Sequence, residues 1–112
     1  VDITTAADGL SDVVNLTGLT LSAMQTSTDW SAAVIGFQGN VDGSTNYYNF
    51  YDKDGNLYYH TVGANRMVIF DPAVFAGVQT LRLISETTAG VAVAQAVVRT
   101  IKLGLSEYVI AD

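Results

Sequence analysis

Tyr47-Tyr48-Asn49-Phe50-Tyr51-Asp52-Lys53-Asp54-Gly55-Asn56-Leu57-Tyr58-Tyr59-His60-Thr61-Val62 is the stretch that decides the fold. Two runs rich in aromatic and β-branched residues, types that suit a pleated, half-buried surface, flank an Asp-Gly pair. Asp-Gly favours a two-residue type I′ hairpin loop, in which both central residues take positive φ. With Asp54 and Gly55 as the loop, Tyr51 faces Tyr58 and Phe50 faces Tyr59. One face of the predicted hairpin carries Tyr47, Asn49, Tyr51, Tyr58, His60 and Val62. The other carries Tyr48, Phe50, Tyr59 and Thr61 and is the expected core face. A slip of one residue exchanges the two sets.

The same period of two runs outward in both directions. Val14 and Leu16, then Leu19 and Leu21, alternate with polar residues, and Gly18 between them predicts a bulge or bend within one long strand. Further strands are expected over Ala32 to Gln38, Arg66 to Phe70, Val78 to Ser85, Gln95 to Leu105 and Tyr108 to Ile110. Val91 to Val98 also reads as strand, because β-branched residues after Gly90 disfavour a helix. Asp8-Gly9, Asp42-Gly43, Gly63-Ala64-Asn65 and Ala89-Gly90 punctuate these runs as turns. Pro72 to Ala76, with Asp71 as N-cap, is expected to form a single helical turn. Short strands at this spacing predict an all-β protein, an antiparallel β-sandwich or jelly roll of about eight or nine strands. The 112 residues fit one domain. Residues 1–8 are expected as an edge strand or an extended N-terminal arm.

Composition narrows the function. Five Lys and Arg against eleven Asp and Glu give a net charge of −6, a surface that repels phosphate backbones, so nucleic acid is not an expected partner. No run approaches the roughly 20 apolar residues of a membrane span, so no membrane partner is expected either. There are no cysteines, and neither a cofactor motif nor a metal-ligand spacing is visible. Asp52-Lys53-Asp54-Gly55-Asn56 lacks the glycine position, terminal glutamate and flanking helices of an EF-hand, and a hairpin turn accounts for it. His60 is the single histidine. No nucleophile elbow surrounds the serines, so His60 reads as a strand-surface residue and no enzyme is predicted. Glu86 and Glu107 fall at predicted strand ends, which suits no paired-carboxylate mechanism. Arg66, Arg82 and Arg99 lie in or beside apolar runs and are expected to face solvent or pair with carboxylates.

Charged residues are only 14% of the chain, against about a quarter in typical soluble domains. That fits either a surface rich in Thr, Ser and Asn or one partly covered by partner subunits. Candidate contacts to a partner or ligand are Val1 and Ile3 on the arm, Tyr47, Tyr51, Tyr58 and His60 on the hairpin, and Tyr108 near the C-terminus. The arm and Tyr108 to Ile110 suit strand addition to a neighbour's open edge. The three hairpin tyrosines suit a stacking platform for sugar rings or an interface.

Trp30-Ser31-Ala32-Ala33, Phe37-Gln38, Asp42-Gly43, Phe50-Tyr51-Asp52 with Gly55, Asp71-Pro72, Leu81-Arg82-Leu83 and Arg99 to Leu103 occur in an order that resembles small β-sandwich head proteins of tailed bacteriophages and prophages. The resemblance covers roughly residues 13 to 105 and rests on core and turn residues. It implies a virion protein, a capsid decoration or cement protein on the capsid surface. Its implied partners are the major capsid protein and itself, as a homotrimer. A strand ending near Gln38, the Asp42-Gly43 turn and an aromatic strand also resemble discoidin-like, galactose-binding jelly rolls, which implies a surface glycan as the alternative ligand. Gly39-Asn40-Val41 departs from the short Val-Ser-type run more common in the phage group.

Overall fold

A computed structural model describes residues 1–107. Its strands are β1 (Asp2–Ile3), β2 (Val14–Asn15), β3 (Leu19–Gln25), β4 (Val34–Asn40), β5 (Tyr48–Asn49), β6 (Tyr59–Thr61), β7 (Met67–Ile69), β8 (Thr80–Glu86), β9 (Arg99–Thr100) and β10 (Lys102–Glu107). One 3₁₀ turn, Pro72–Phe75, precedes β8, and the Asp71 carboxylate caps it by accepting from the Ala73 N–H at 3.0 Å. The chain is all-β, an antiparallel sandwich. One layer has the order β2-β8-β4-β5 with β6 also on β4, the other has the order β10-β3-β7, and β1 pairs with β9 at the side.

Alternation builds the core. Ile35 and Phe37 of β4 and Leu81 and Leu83 of β8 turn inward from the larger sheet. Leu21 and Met24 of β3 meet them from the smaller sheet, with Phe70, Phe75, Ile3, Leu16 and Ile101 closing the ends. Phe37 is the hub. The rings of Phe75, Tyr58, Phe70 and Phe50 lie 5.1, 5.6, 5.8 and 6.0 Å from it, distances at which edge-to-face and tilted pairs add to burial.

The strands depart from the sequence pattern in several places. Gly18 is not a bulge in one long strand. Thr17 and Gly18 both have positive φ and break the run, so that β2 joins the larger sheet and β3 the smaller. The run from Gln95 to Leu105 is likewise divided, with β9 against β1 and β10 against β3. From Val91 to Val98 the only strand-like pairing is an isolated bridge from Ala92 to Glu86. The segment is held instead by a buried polar cluster. Gln95 donates to Ser85 Oγ at 2.7 Å and accepts from the Ser31 N–H at 2.9 Å and from Arg99 Nε at 3.1 Å. Arg99 also donates to Ser31 Oγ at 3.2 Å. Arg99 is therefore buried and not solvent-facing as expected, and its hydrogen-bond partners among the described residues are neutral oxygens and no carboxylate.

The hairpin departs furthest from the form its sequence predicts. Tyr51 pairs with Leu57, and the Asp52 N–H donates to the Asn56 carbonyl at 2.9 Å. The loop is thus Lys53-Asp54-Gly55, three residues and not two. Gly55 takes φ +81 while Asp54 does not enter the positive region, which describes a type I turn closed by a left-handed glycine. The Asp52 carboxylate selects this form by accepting from the N–H groups of Asp54 and Asn56, at 2.9 and 3.0 Å. The register slips by one, so the Tyr58 N–H bonds the Phe50 carbonyl and both side chains turn inward. Tyr58, His60 and Val62 therefore lie on the core side, whereas Tyr48, Tyr59 and Thr61 are exposed, the reverse of the expected assignment.

Candidate interaction surfaces

Strands β5 and β6 do not pair with each other along their length. Both lie antiparallel on the same edge of β4, with Gln38 opposite Asn49 and Gly36 opposite Tyr59. Residues 50–58 between them loop out as the hairpin. This gives an aromatic projection rooted in the core by Phe50 and Tyr58, with Tyr51 61% exposed near its tip. Open clefts flank it. One, about 260 Å³, is lined by Gly39, Asn40, Tyr48, Asn49, Phe50 and Val78. Another lies between Phe50, Tyr51 and Lys53 of the hairpin and Val74 and Val78. A third is more polar and is lined by Asp52, Asn56, Leu57, Tyr58, Tyr59 and Thr88.

The candidate contacts do not converge. Ile3 is fully buried, and Val1 is partly buried against the core with its terminal ammonium donating to the Ile101 carbonyl at 2.8 Å. Asp2 pairs with Thr100 and Ile3 with Arg99. The N-terminal residues are therefore a strand of their own fold and not an arm free to join a neighbour. Tyr47 lies under the Arg82 guanidinium, 4.1 Å from ring centroid to Cζ. Arg82 also donates to Gln38 Oε1 at 2.9 Å, and Gln38 donates to Asn49 Oδ1 at 2.9 Å, a row of side chains across β8, β4 and β5. Tyr58 is half-buried, with its hydroxyl 2.8 Å from His60 Nε2. Tyr47, Tyr51 and Tyr58 thus form no common platform. Among the described residues the exposed tyrosines are Tyr48, Tyr51 and Tyr59. Tyr108 lies outside the described residues.

His60 is not a strand-surface residue. Its ring stands edge-on to Phe70 at 4.7 Å, and burial lowers its pKa below the ordinary 6.5, which favours the neutral ring. Burial and the charge of Asp71 raise the Tyr58 hydroxyl above 10.0. The phenol and the imidazole satisfy each other beside the rings of Phe37 and Phe70. Glu86, 1% exposed, lies over Gly36 on the outer side of the larger sheet, and burial raises its carboxyl above 4.5. Among the described residues no group of three or more His, Cys, Asp or Glu is placed to hold a metal ion. No described helix is long and apolar enough to cross a membrane.

A surface not singled out by sequence lies on the smaller sheet. Met67 and Ile69 of β7 are 62% and 71% exposed, beside Ala23 of β3 and Gly104 of β10. The available signal was the alternation of β7 itself, in which Val68 and Phe70 point inward and leave two large apolar side chains outside. No family model matches the chain, and neither does any curated protein or solved structure.

Proposed function

We propose that this chain is a non-catalytic structural protein of a virion, a capsid decoration protein. It binds the major capsid protein and copies of itself at the capsid surface and strengthens the phage head. The observation that carries this reading is the pair Met67 and Ile69, apolar side chains exposed on an edge strand of an antiparallel sheet. Exposed apolar strand edges promote pairing with another chain and are ordinarily blunted by charge, proline or a covering element. The low charged fraction, 14%, supports the same reading, since interface cores are depleted in charged residues. So does the resemblance of the core and turn residues to phage head proteins.

The test is direct. Where a major capsid gene lies beside the gene for this chain, heads assembled from its product are incubated with purified protein and sedimented, then heated; a neighbourhood with no capsid gene counts against the proposal. Saturable co-sedimentation and a higher rupture temperature are expected. Protein that stays in the supernatant, or heads that rupture at an unchanged temperature, would refute the proposal.

A second reading, a glycan-binding jelly roll, is favoured by one observation. Tyr59 lines a polar cleft with Asp52, Asn56 and Thr88, an arrangement of an aromatic face and hydrogen-bonding groups that suits a sugar. A glycan array carries the test. Hits abolished by Tyr59→Ala support this reading, and an array without hits removes it.

A further inference from the structure

We propose that the free edge of β7 is a self-association site, at which a second copy of this chain pairs antiparallel across a two-fold axis at Val68. The inference deepens the structural reading above and rests on it for its biological purpose, though not for its geometry.

Backbone hydrogen bonding sets the direction of the open groups. The Thr26 N–H donates to the Arg66 carbonyl at 2.9 Å, and the Phe70 N–H donates to the Ser22 carbonyl at 3.0 Å. Arg66 and Phe70 therefore direct their main-chain groups toward β3. In an antiparallel ladder these directions alternate, so the N–H and C=O groups of Met67 and Ile69 point away from β3. Among the described residues no strand pairs with that edge.

That pattern is self-complementary. With Val68 opposite Val68 of the second copy, Met67 lies opposite Ile69 of the second copy, and Ile69 opposite its Met67. Each is the hydrogen-bonded kind of antiparallel pair, so four main-chain hydrogen bonds form around the axis. The outward side chains of each pair, Met67 against Ile69, come within cross-strand contact and cover each other. Charge agrees with the register. Arg66 and Asp71, both exposed, lie at opposite ends of the edge. The two-fold arrangement brings Arg66 of one copy alongside Phe70 and Asp71 of the other, once at each end. The smaller sheets of two copies then form one six-stranded sheet. An isologous contact of this kind closes after two copies, so it makes a dimer and does not by itself make the trimer that the resemblance implies. The contact is short compared with the about 800 Å² per partner of a standard interface, so the dimer should dissociate on dilution.

The test is sedimentation equilibrium of the full chain over a wide concentration range, with amide hydrogen exchange in parallel. A species of twice the 11.9 kDa monomer mass is expected to grow with concentration. The Met67 and Ile69 amides should become protected as it forms. Ile69→Lys introduces a charge on the edge and should weaken dimerisation at least about 100-fold, a loss of roughly 2.7 kcal/mol, while far-UV circular dichroism is unchanged. Met67→Pro removes an outward N–H, and not one used by β3, and should do the same. The chain has no cysteine, so a mixture of Met67→Cys and Ile69→Cys proteins should give more disulfide-linked dimer than either variant alone. Three results would overturn the site: a monomer at every concentration, an oligomer unaffected by Ile69→Lys, or Met67 and Ile69 amides that exchange freely in the oligomer. Failure to bind heads by a protein that still dimerises through β7 would instead overturn the proposed function and leave this contact standing.

Discussion

Replacing Gly39 by alanine tests how the larger sheet and the aromatic hairpin are joined. Gly39 is on β4, opposite Leu81 of β8 on one side and Tyr48 of β5 on the other. A methyl group added there would overlap the Thr80 carbonyl oxygen and meet the Phe50 ring at 3.1 and 3.3 Å. The carbonyl belongs to the adjacent strand of a seven-pair ladder and cannot rotate aside as a flexible side chain would. Relief requires the strands to separate locally or Phe50 to leave the core, and overpacking of this kind costs about 1–3 kcal/mol. Against it stands the lower chain entropy of unfolded alanine, worth about 0.5–1 kcal/mol. The net expectation is a loss of about 1–2 kcal/mol, or a fall in Tm of about 4–8 °C for a domain of this size. Gly63 is the control. An added methyl there meets only Arg66 Nε, at 3.7 Å, so Gly63→Ala should be neutral or should gain about 0.4–1 kcal/mol. Urea unfolding followed by circular dichroism measures both, with an unchanged slope showing that the surface exposed on unfolding is the same in each variant. Hydrogen exchange over residues 50–58 should quicken in Gly39→Ala alone. If the two variants are equally stable, the close approach of Thr80 and Phe50 to Gly39 is refuted.

Phe37→Ala, which removes the hub of the aromatic cluster, should cost about 3–5 kcal/mol, whereas exposed Tyr51→Ala should stay within about 0.5 kcal/mol; comparable losses would contradict the core assignment. Glu86 holds its proton more tightly when folded, so stability should fall as pH rises from 4.5 toward its raised folded value and then level off. Glu86→Gln should remove that fall, matching the wild type below pH 4.5 and exceeding it at higher pH in denaturant titrations. His60 has the opposite sign in a different window. Its contribution is present above 6.5 and is lost as pH falls from there through its lowered folded value, and His60→Phe should flatten that limb. Gln95→Ala leaves Arg99 and Ser85 short of buried partners and should cost about 2–3 kcal/mol by urea unfolding. A loss below the error of the titration would show that the cluster does not hold residues 91–98.

The architecture was legible in the chain because alternation is a local property. Val14, Leu21, Ile35, Phe37, Leu81 and Leu83 announce strands by their spacing alone, and Asp71-Pro72 announces the 3₁₀ turn through its cap. The candidate surfaces were less legible. Ile3 reads as a contact in sequence because no neighbour along the chain covers it, yet it pairs with Arg99, 96 positions away. His60 reads as a surface residue when Asp54-Gly55 sets the hairpin register. The choice of loop lay with the Asp52 carboxylate, which bonds two N–H groups beyond itself. Gln95 and Ser31, 64 positions apart, form one cluster with no signature in either segment.

The amino-acid order alone therefore determined that this protein is built of strands, where most of its turns fall and that its surface is sparsely charged. These depend on residues a few positions apart, through side-chain alternation and turn propensity. Tertiary structure decided which face of each strand is inside, that Tyr58 and His60 join the core while Tyr48 and Tyr59 meet solvent, and that β7 is left at an edge with Met67 and Ile69 uncovered. The physical reason is that a strand offers two faces and two edges of similar local chemistry. Which of them is buried or paired is fixed only when distant segments close upon it.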